Sequence, residues 1–238
     1  MLWHIQGPGS LGCLWAARFA AAQQPVRLIL RDQDALARYQ QIGAVRLSDA
    51  NLQHTQSYPI SAQLPAHSEP IGHLLLACKA YDATAAIAQV AHRLNQDSLV
   101  VLLQNGLGSQ QAVQALVPNT RCIVASSTEG AYLTEPFHSV FAGQGEIWLG
   151  SLDKKAEPEG LINSCHSAQI PCTWTAEIDT SLWRKLAINC AINPLTVIHD
   201  CSNGALIEHA NLINTPCAEL YTLLKAAQHP TAAKDLQQ

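Results

Sequence analysis

Leu2-Trp3-His4-Ile5-Gln6-Gly7-Pro8-Gly9-Ser10-Leu11-Gly12-Cys13 decides the fold. Residues 2–6 are short and apolar, as a buried strand is, and residues 13–22 are Ala-rich and suited to a closely packed helix. The join between them, Gly7, Pro8, Gly9, Ser10, Leu11 and Gly12, spells G-x-G-x-x-G. In a strand–turn–helix setting each glycine has a task. The first permits the tight turn, the second lets a pyrophosphate approach the backbone, and the third lets helix and strand pack closely. The phosphate would sit at the amino end of the helix, where unpaired N–H groups point outward. An ordinary glycine-rich turn has the same letters, so the flanking sequence must carry the rest.

Outward from this stretch, strand-like and helix-like runs alternate. Residues 26–30, 74–77, 99–103 and 123–125 are apolar runs of strand length, while 33–42, 82–94 and 109–116 carry helical spacing of Ala, Ile, Val and Leu. That alternation predicts an α/β fold, a parallel sheet with helices on both faces, in a Rossmann-type dinucleotide-binding domain. Past Gly130 the runs at 131–133, 139–142 and 146–149 are short and punctuated by glycine, which predicts an antiparallel extension of the same sheet. Residues 154–160 are polar and include Pro158, so a hinge is expected there. Residues 159–167 and 180–192 read as helices, with few strand signals beyond them. The expected division is a dinucleotide-binding domain at 1–165 and a smaller all-helical domain at 166–238.

Composition narrows the function. Of 238 residues, 48% are hydrophobic and 13% charged, enough for a sizeable core and unlike a disordered chain. Lys and Arg number 14 against 18 Asp and Glu, with no basic cluster to follow a phosphate backbone, so no nucleic-acid partner is expected. The apolar runs are too short to span a bilayer, and Met1-Leu2-Trp3-His4 lacks the charged start of a signal peptide, so no membrane association is expected. Eight scattered cysteines without a CxxC pair read as free thiols in a reducing cytoplasm. Ten histidines raise the question of metal, but His199-Asp200-Cys201 and Cys165-His166 have no second pair at ligand spacing, so no metal site is expected.

Four further features carry chemistry. Where an NAD site has Asp or Glu after its second strand, this chain has Arg31, whose guanidinium suits a 2′-phosphate and so NADP; the same residue would equally serve as a solvated arginine paired with Asp32 or Asp34. Lys79, in Cys78-Lys79-Ala80-Tyr81, and Asn105, in Gln104-Asn105-Gly106-Leu107-Gly108, follow two strand candidates at the carboxyl edge where open α/β sheets take ligands. A surface lysine and a turn asparagine would look the same. Lys185, Asn189 and Asn193 recur every four residues and share one helix face among Leu186, Ala187, Ile188, Cys190, Ala191 and Ile192. A lysine so placed is either desolvated and ready to give up a proton, or snorkels to solvent beside Arg184, with Asn193 ending the helix before Pro194.

These segments together resemble the ketopantoate reductase (2-dehydropantoate 2-reductase) family: Gly7–Gly12 with Arg31, Cys78-Lys79-Ala80, Gln104-Asn105-Gly106-Leu107-Gly108, Leu182-Trp183-Arg184-Lys185-Leu186, Asn193-Pro194-Leu195-Thr196 and Asn203-Gly204. The resemblance implies NADPH-dependent reduction of a small 2-oxo acid, 2-dehydropantoate, to (R)-pantoate. It makes Lys185 the proton donor, Asn189 and Asn193 the groups orienting substrate, and Asn105 and Lys79 residents of the cofactor–substrate junction. Family members continue into further C-terminal helices that supply a glutamate and a serine to the substrate. No residue here matches either, so the helical domain is expected to be incomplete and to self-associate into a homo-oligomer. A reductase of another small 2-oxo acid, or an impaired NADP-binding homologue, are the alternatives.

Overall fold

Residues 1–235 are described by a computed structural model. In chain order the elements are β1 (Trp3–Gln6), α1 (Ser10–Ala21), β2 (Val26–Ile29), α2 (Gln33–Ile42), β3 (Val45–Ser48), β4 (Thr55–Tyr58), β5 (Ser61–Gln63), β6 (His73–Leu76), α3 (Ala83–Val90), β7 (Leu99–Leu102), α4 (Ser109–Leu116), β8 (Arg121–Ser127), β9 (Gly130–Glu135), β10 (His138–Gly143), β11 (Ile147–Gly150), α5 (Leu161–Ser167), β12 (Cys172–Trp174), α6 (Ile178–Ile198), α7 (Ala210–Ala226) and α8 (Pro230–Asp235). They fall into two compact units, residues 1–104 with 108–176, and residues 105–107 with the chain from Glu177 onward.

Among the described residues the first unit holds two sheets. The larger has the order β12-β11-β8-β7-β6-β1-β2-β5. Its six strands from β5 to β8 are parallel, and numbered as they occur in the chain they read 3-2-1-4-5-6, the Rossmann arrangement. Both faces of this sheet are covered at its centre: every residue of β1 and β7 is buried, the polar His4 and Gln6 of β1 included. The second sheet has the order β4-β3-β10-β9, with β10 pairing in parallel with β3, His138 opposite Arg46.

The expected antiparallel extension is therefore corrected. Of the three expected strands β11 alone joins the main sheet, antiparallel to β8 and with β12 parallel beyond it, while β9 and β10 join β3 and β4 in a sheet of their own. β3 reads Val45-Arg46-Leu47-Ser48, half polar, and its partner lies far along the chain, so no local pattern announces the pairing.

α1 packs on β1 and β2 of the large sheet and on β3, β4, β9 and β10 of the small one. That explains its composition. A helix covered on one side needs one apolar stripe, whereas α1 buries Gly12, Cys13, Leu14, Trp15, Ala16, Ala17 and Phe19. Phe19 stacks on Trp3 of β1, with ring centroids 4.9 Å apart. The division expected at 165/166 falls inside α5, whose Leu161 and Cys165 lie in the core of the first unit. The units divide instead between Ala176 and Glu177.

The second unit is helical. Ala187, Leu224, Ala232 and Ala233 form its buried cluster, with Trp183 and Tyr221 packed against it. Trp183 stacks on His229 at 4.3 Å, and His229 Nδ1 lies 3.6 Å from an oxygen of Asp179. α6 runs through Pro194 to Ile198 rather than stopping before it. Proline satisfies helical φ and forfeits one backbone donor, and Thr196 adds a hydroxyl bond to the Asn193 carbonyl at 2.8 Å.

Candidate active site

The strand register assembles one edge of the large sheet. Gln6 pairs with both Ile29 and Leu76, so the chain after β1, β2 and β6 leaves the sheet at the same end, where the strand order reverses. Open α/β sheets hold their ligands at this point. Gly7–Gly12, Arg31 and Lys79 all stand on these three exits, and Asn105 follows β7 in the segment grouped with the second unit.

The three glycines divide their tasks as the motif requires. Gly7 has φ +84°, and a Cβ there would stand 2.5 Å from the Cys78 backbone nitrogen. A Cβ on Gly12 would stand 2.5 Å from the Gly7 carbonyl oxygen. A Cβ on Gly9 would meet nothing within 4 Å, so of the three glycines only the middle one faces open space, the position a pyrophosphate would approach. α1 begins there with no side-chain cap and no acidic residue in its first turn, leaving its first N–H groups for an anion.

Two side chains outside the motif hold the loop. The Cys13 thiol donates to the Pro8 carbonyl at 3.1 Å, and burial pushes this thiol up to about 12, keeping it protonated. The Ser139 hydroxyl, fully buried on β10, donates to the Ser10 carbonyl at 2.9 Å. Gln104, also buried, ties the ends of β7 and β6 together by donating to the Leu76 carbonyl at 2.8 Å. Sequence reasoning missed Cys13 and Ser139 as loop supports, and Ser139 could not have been found without knowing the second sheet.

Arg31 is exposed at the end of β2, and its Nε donates to Asp32 Oδ2 at 2.8 Å. The pairing with Asp32 that the sequence left open is thus present. The other oxygen of Asp32 accepts from the Ala35 N–H at 2.8 Å and caps α2. Lys79 is exposed, its carbonyl accepting from the Asp82 N–H at the turn after β6. Asn105 is exposed beside Gly106, whose φ of +86° is the turn geometry that suits glycine.

Lys185, Asn189 and Asn193 all lie on α6. Lys185 and Asn189 are half-buried and Asn193 is exposed. Burial lowers the Lys185 ammonium from 10.5 to about 8, which a lysine snorkelling freely into water would not show. Asn193 sits inside the helix rather than at its end. Among the described residues no group of three or more His, Cys, Asp or Glu is placed to hold a metal ion, and no helix is long and apolar enough to cross a membrane.

A sheet of this order, with an uncrowded middle glycine where the strand order reverses, has the build of the dinucleotide-binding proteins. The comparisons with known proteins are more specific. Residues 3–154 match the family described as ketopantoate reductase PanE/ApbA, and residues 177–238 match its C-terminal counterpart. The chain is 31% identical to the 2-dehydropantoate 2-reductase of Vibrio cholerae over 228 residues, 93% of this chain and 72% of that protein. It is 30% identical to that of Halobacterium salinarum over 206 residues, 86% of this chain and 67% of that protein. The crystal structure of a PanE/ApbA family ketopantoate reductase from Ralstonia eutropha superposes with a TM-score of 0.83 at 22% identity, covering 100% of this chain and 79% of that one. A D-mandelate dehydrogenase bound to NADH and anilino(oxo)acetate shares the fold, with a TM-score of 0.86 at 17% identity over 99% of this chain and 79% of that one. The chain belongs to the ketopantoate reductase family.

Proposed function

We propose that this chain reduces the ketone of 2-dehydropantoate to (R)-pantoate at the expense of NADPH, a step toward pantothenate and coenzyme A. Beyond family membership, the observation that carries the reading is Lys185: an ammonium lowered to about 8 is still mostly protonated near neutrality yet gives up its proton readily. The residues present fit the cofactor. The space at Gly9, the uncapped start of α1 and the guanidinium of Arg31 suit a pyrophosphate and a 2′-phosphate.

NADPH, when bound, supplies the hydride. Negative charge then gathers on the substrate's ketone oxygen, and Lys185 stabilises that charge and neutralises it by donating a proton there. Asn189 and Asn193 offer amide donors and acceptors on the same helix face to hold the substrate's other oxygens. Gly7, Pro8, Gly9, Ser10, Leu11, Gly12 and Arg31 hold the cofactor, with Lys79 and Asn105 assigned to the junction of cofactor and substrate.

Turnover of NADPH with 2-dehydropantoate, beside a panel of other small 2-oxo acids, tests the assignment. A clear preference for 2-dehydropantoate is expected, and equal or faster turnover of another acid would replace it with a reductase of that acid. Exposed Ile188, Val197 and Ile198 on α6 and Leu223 on α7 support self-association through the helical unit. Light scattering after size exclusion checks this, and a monomer at every concentration rejects it. The free state of all eight cysteines supports residence in a reducing compartment, the cytoplasm.

A further inference from the structure

The edge of the sheet beside the glycine loop holds two opposite charges on adjacent residues. Arg31 leaves β2 with its side chain 84% exposed, and Asp32 follows with 46%. A long cation so exposed ordinarily samples many rotamers. Here its Nε is bonded to Asp32 Oδ2 at 2.8 Å. Asp32 is itself fixed, because its Oδ1 takes the Ala35 N–H at 2.8 Å and caps α2 from an extended backbone. The carboxylate is therefore anchored to a helix and the guanidinium to the carboxylate.

We propose that Asp32 is a positioning residue for cofactor choice: by engaging the Nε edge of Arg31 it presents the Nη1 and Nη2 edge of the guanidinium to the 2′-phosphate of NADPH. This rests on the reading of Arg31 as the 2′-phosphate contact. A guanidinium can grip a phosphate through either edge, and occupation of the Nε edge leaves the end-on fork. Asp32 also occupies the region where an acidic residue in an NAD site would accept from the ribose hydroxyls. In this chain each of its oxygens already accepts one bond, from Ala35 and from Arg31, and the second of these holds the arginine.

A carboxylate near a phosphate dianion also repels it, and the two effects have opposite signs. Fixing an exposed pair is worth at most a few-fold in affinity, so the expected gain is about three- to five-fold for NADPH. The experiment uses the full chain with Asp32→Asn, which keeps an oxygen to cap α2 and loses the charge that holds Arg31. Asp32→Ser is a second variant with a capping hydroxyl, and Arg31→Ala and Arg31→Ala/Asp32→Asn complete the set. Dissociation constants for NADPH and for NADH are measured by fluorescence titration.

The proposal expects Asp32→Asn and Asp32→Ser to weaken NADPH about three- to five-fold with NADH within about two-fold of the parent, and Asp32→Asn to have no effect once Arg31 is alanine. Tighter or unchanged NADPH binding overturns it, as does an equal loss for both cofactors, which is what a merely structural cap would give. An effect of Asp32→Asn that persists in the Arg31→Ala background overturns it as well. Failure of the underlying reading looks different: Arg31→Ala alone would leave the ratio of NADPH to NADH affinity unchanged.

Discussion

The pH dependence of turnover isolates Lys185. Burial lowers its ammonium from 10.5 to about 8, which at about 1.4 kcal/mol per pH unit means that the charged form is disfavoured by about 3 kcal/mol. Protonated and neutral lysine then stand at about 10:1 at pH 7 and about 1:10 at pH 9. A proton donor must begin protonated, so kcat/KM for 2-dehydropantoate should hold through neutrality and fall tenfold per pH unit above about 8. Initial rates of NADPH oxidation at constant ionic strength, from about pH 6 to about pH 10, give the profile. Lys185→Arg keeps the positive charge but gives up no proton in that range, so kcat should drop by about 10²–10⁴ and the alkaline limb should vanish. NADPH affinity should be unchanged. A parent profile that stays level to the alkaline end of that range, or an arginine variant with near-parent turnover, would refute the assignment of the proton to Lys185.

Gly7→Ala places a Cβ 2.5 Å from the Cys78 nitrogen at φ +84°, so it should lose about 2–4 kcal/mol in urea unfolding, whereas Gly9→Ala should unfold like the parent and bind NADPH at least ten-fold more weakly. Normal NADPH affinity in Gly9→Ala would remove the pyrophosphate from this loop. His4, 1% exposed on β1, is lowered from 6.5 to about 4 by burial and then by Arg93 and Arg27. Its contribution is therefore complete above about pH 6.5 and is lost as pH falls toward about 4, about 3 kcal/mol in all; the urea midpoint of His4→Leu should fall less steeply over that window, and a parallel fall would exclude His4 as the cause. Asn189→Ala should raise KM for the 2-oxo acid more than it lowers kcat, and the opposite split would give this amide a role confined to the transition state.

How much was legible depends on how local each feature is. The strand, turn and helix around Gly7–Gly12 are legible because they are contiguous, and Gly7 and Gly12 answer to close neighbours, Gly12 to the Gly7 carbonyl itself. Of the parallel strands, β6, β7 and β8 announce themselves as apolar runs because they are buried, whereas β5, Ser61-Ala62-Gln63 at the sheet edge, gives no such signal and is missed. The second sheet was misassigned because β10 pairs with β3, whose polar Arg46 and Ser48 give no strand signal, and because residues 131–142 look alike in either sheet. Lys185 was placed by four-residue spacing, but only packing could decide between a desolvated ammonium and a snorkelling one. Arg31 stands out in the sequence by standing where an NAD site has an acid, while its bond to Asp32 is one of two pairings the letters allow.

The enclosure of α1 between two sheets has a consequence for how the chain acquires function as it is made. One wall of that helix is β1 and β2, which flank it directly in the chain; the other includes β10, which ends at Gly143 and pairs with β3. Until β10 has formed, Trp15 and its neighbours on α1 lack part of their cover, and Ser139 is absent from the carbonyl of Ser10. Contacts this distant in sequence form late, after the entropy of closing the long loop has been overcome. The glycine motif therefore leaves the ribosome well before β10 and gains the support of Ser139 only when the strand ending at Gly143 has emerged behind it.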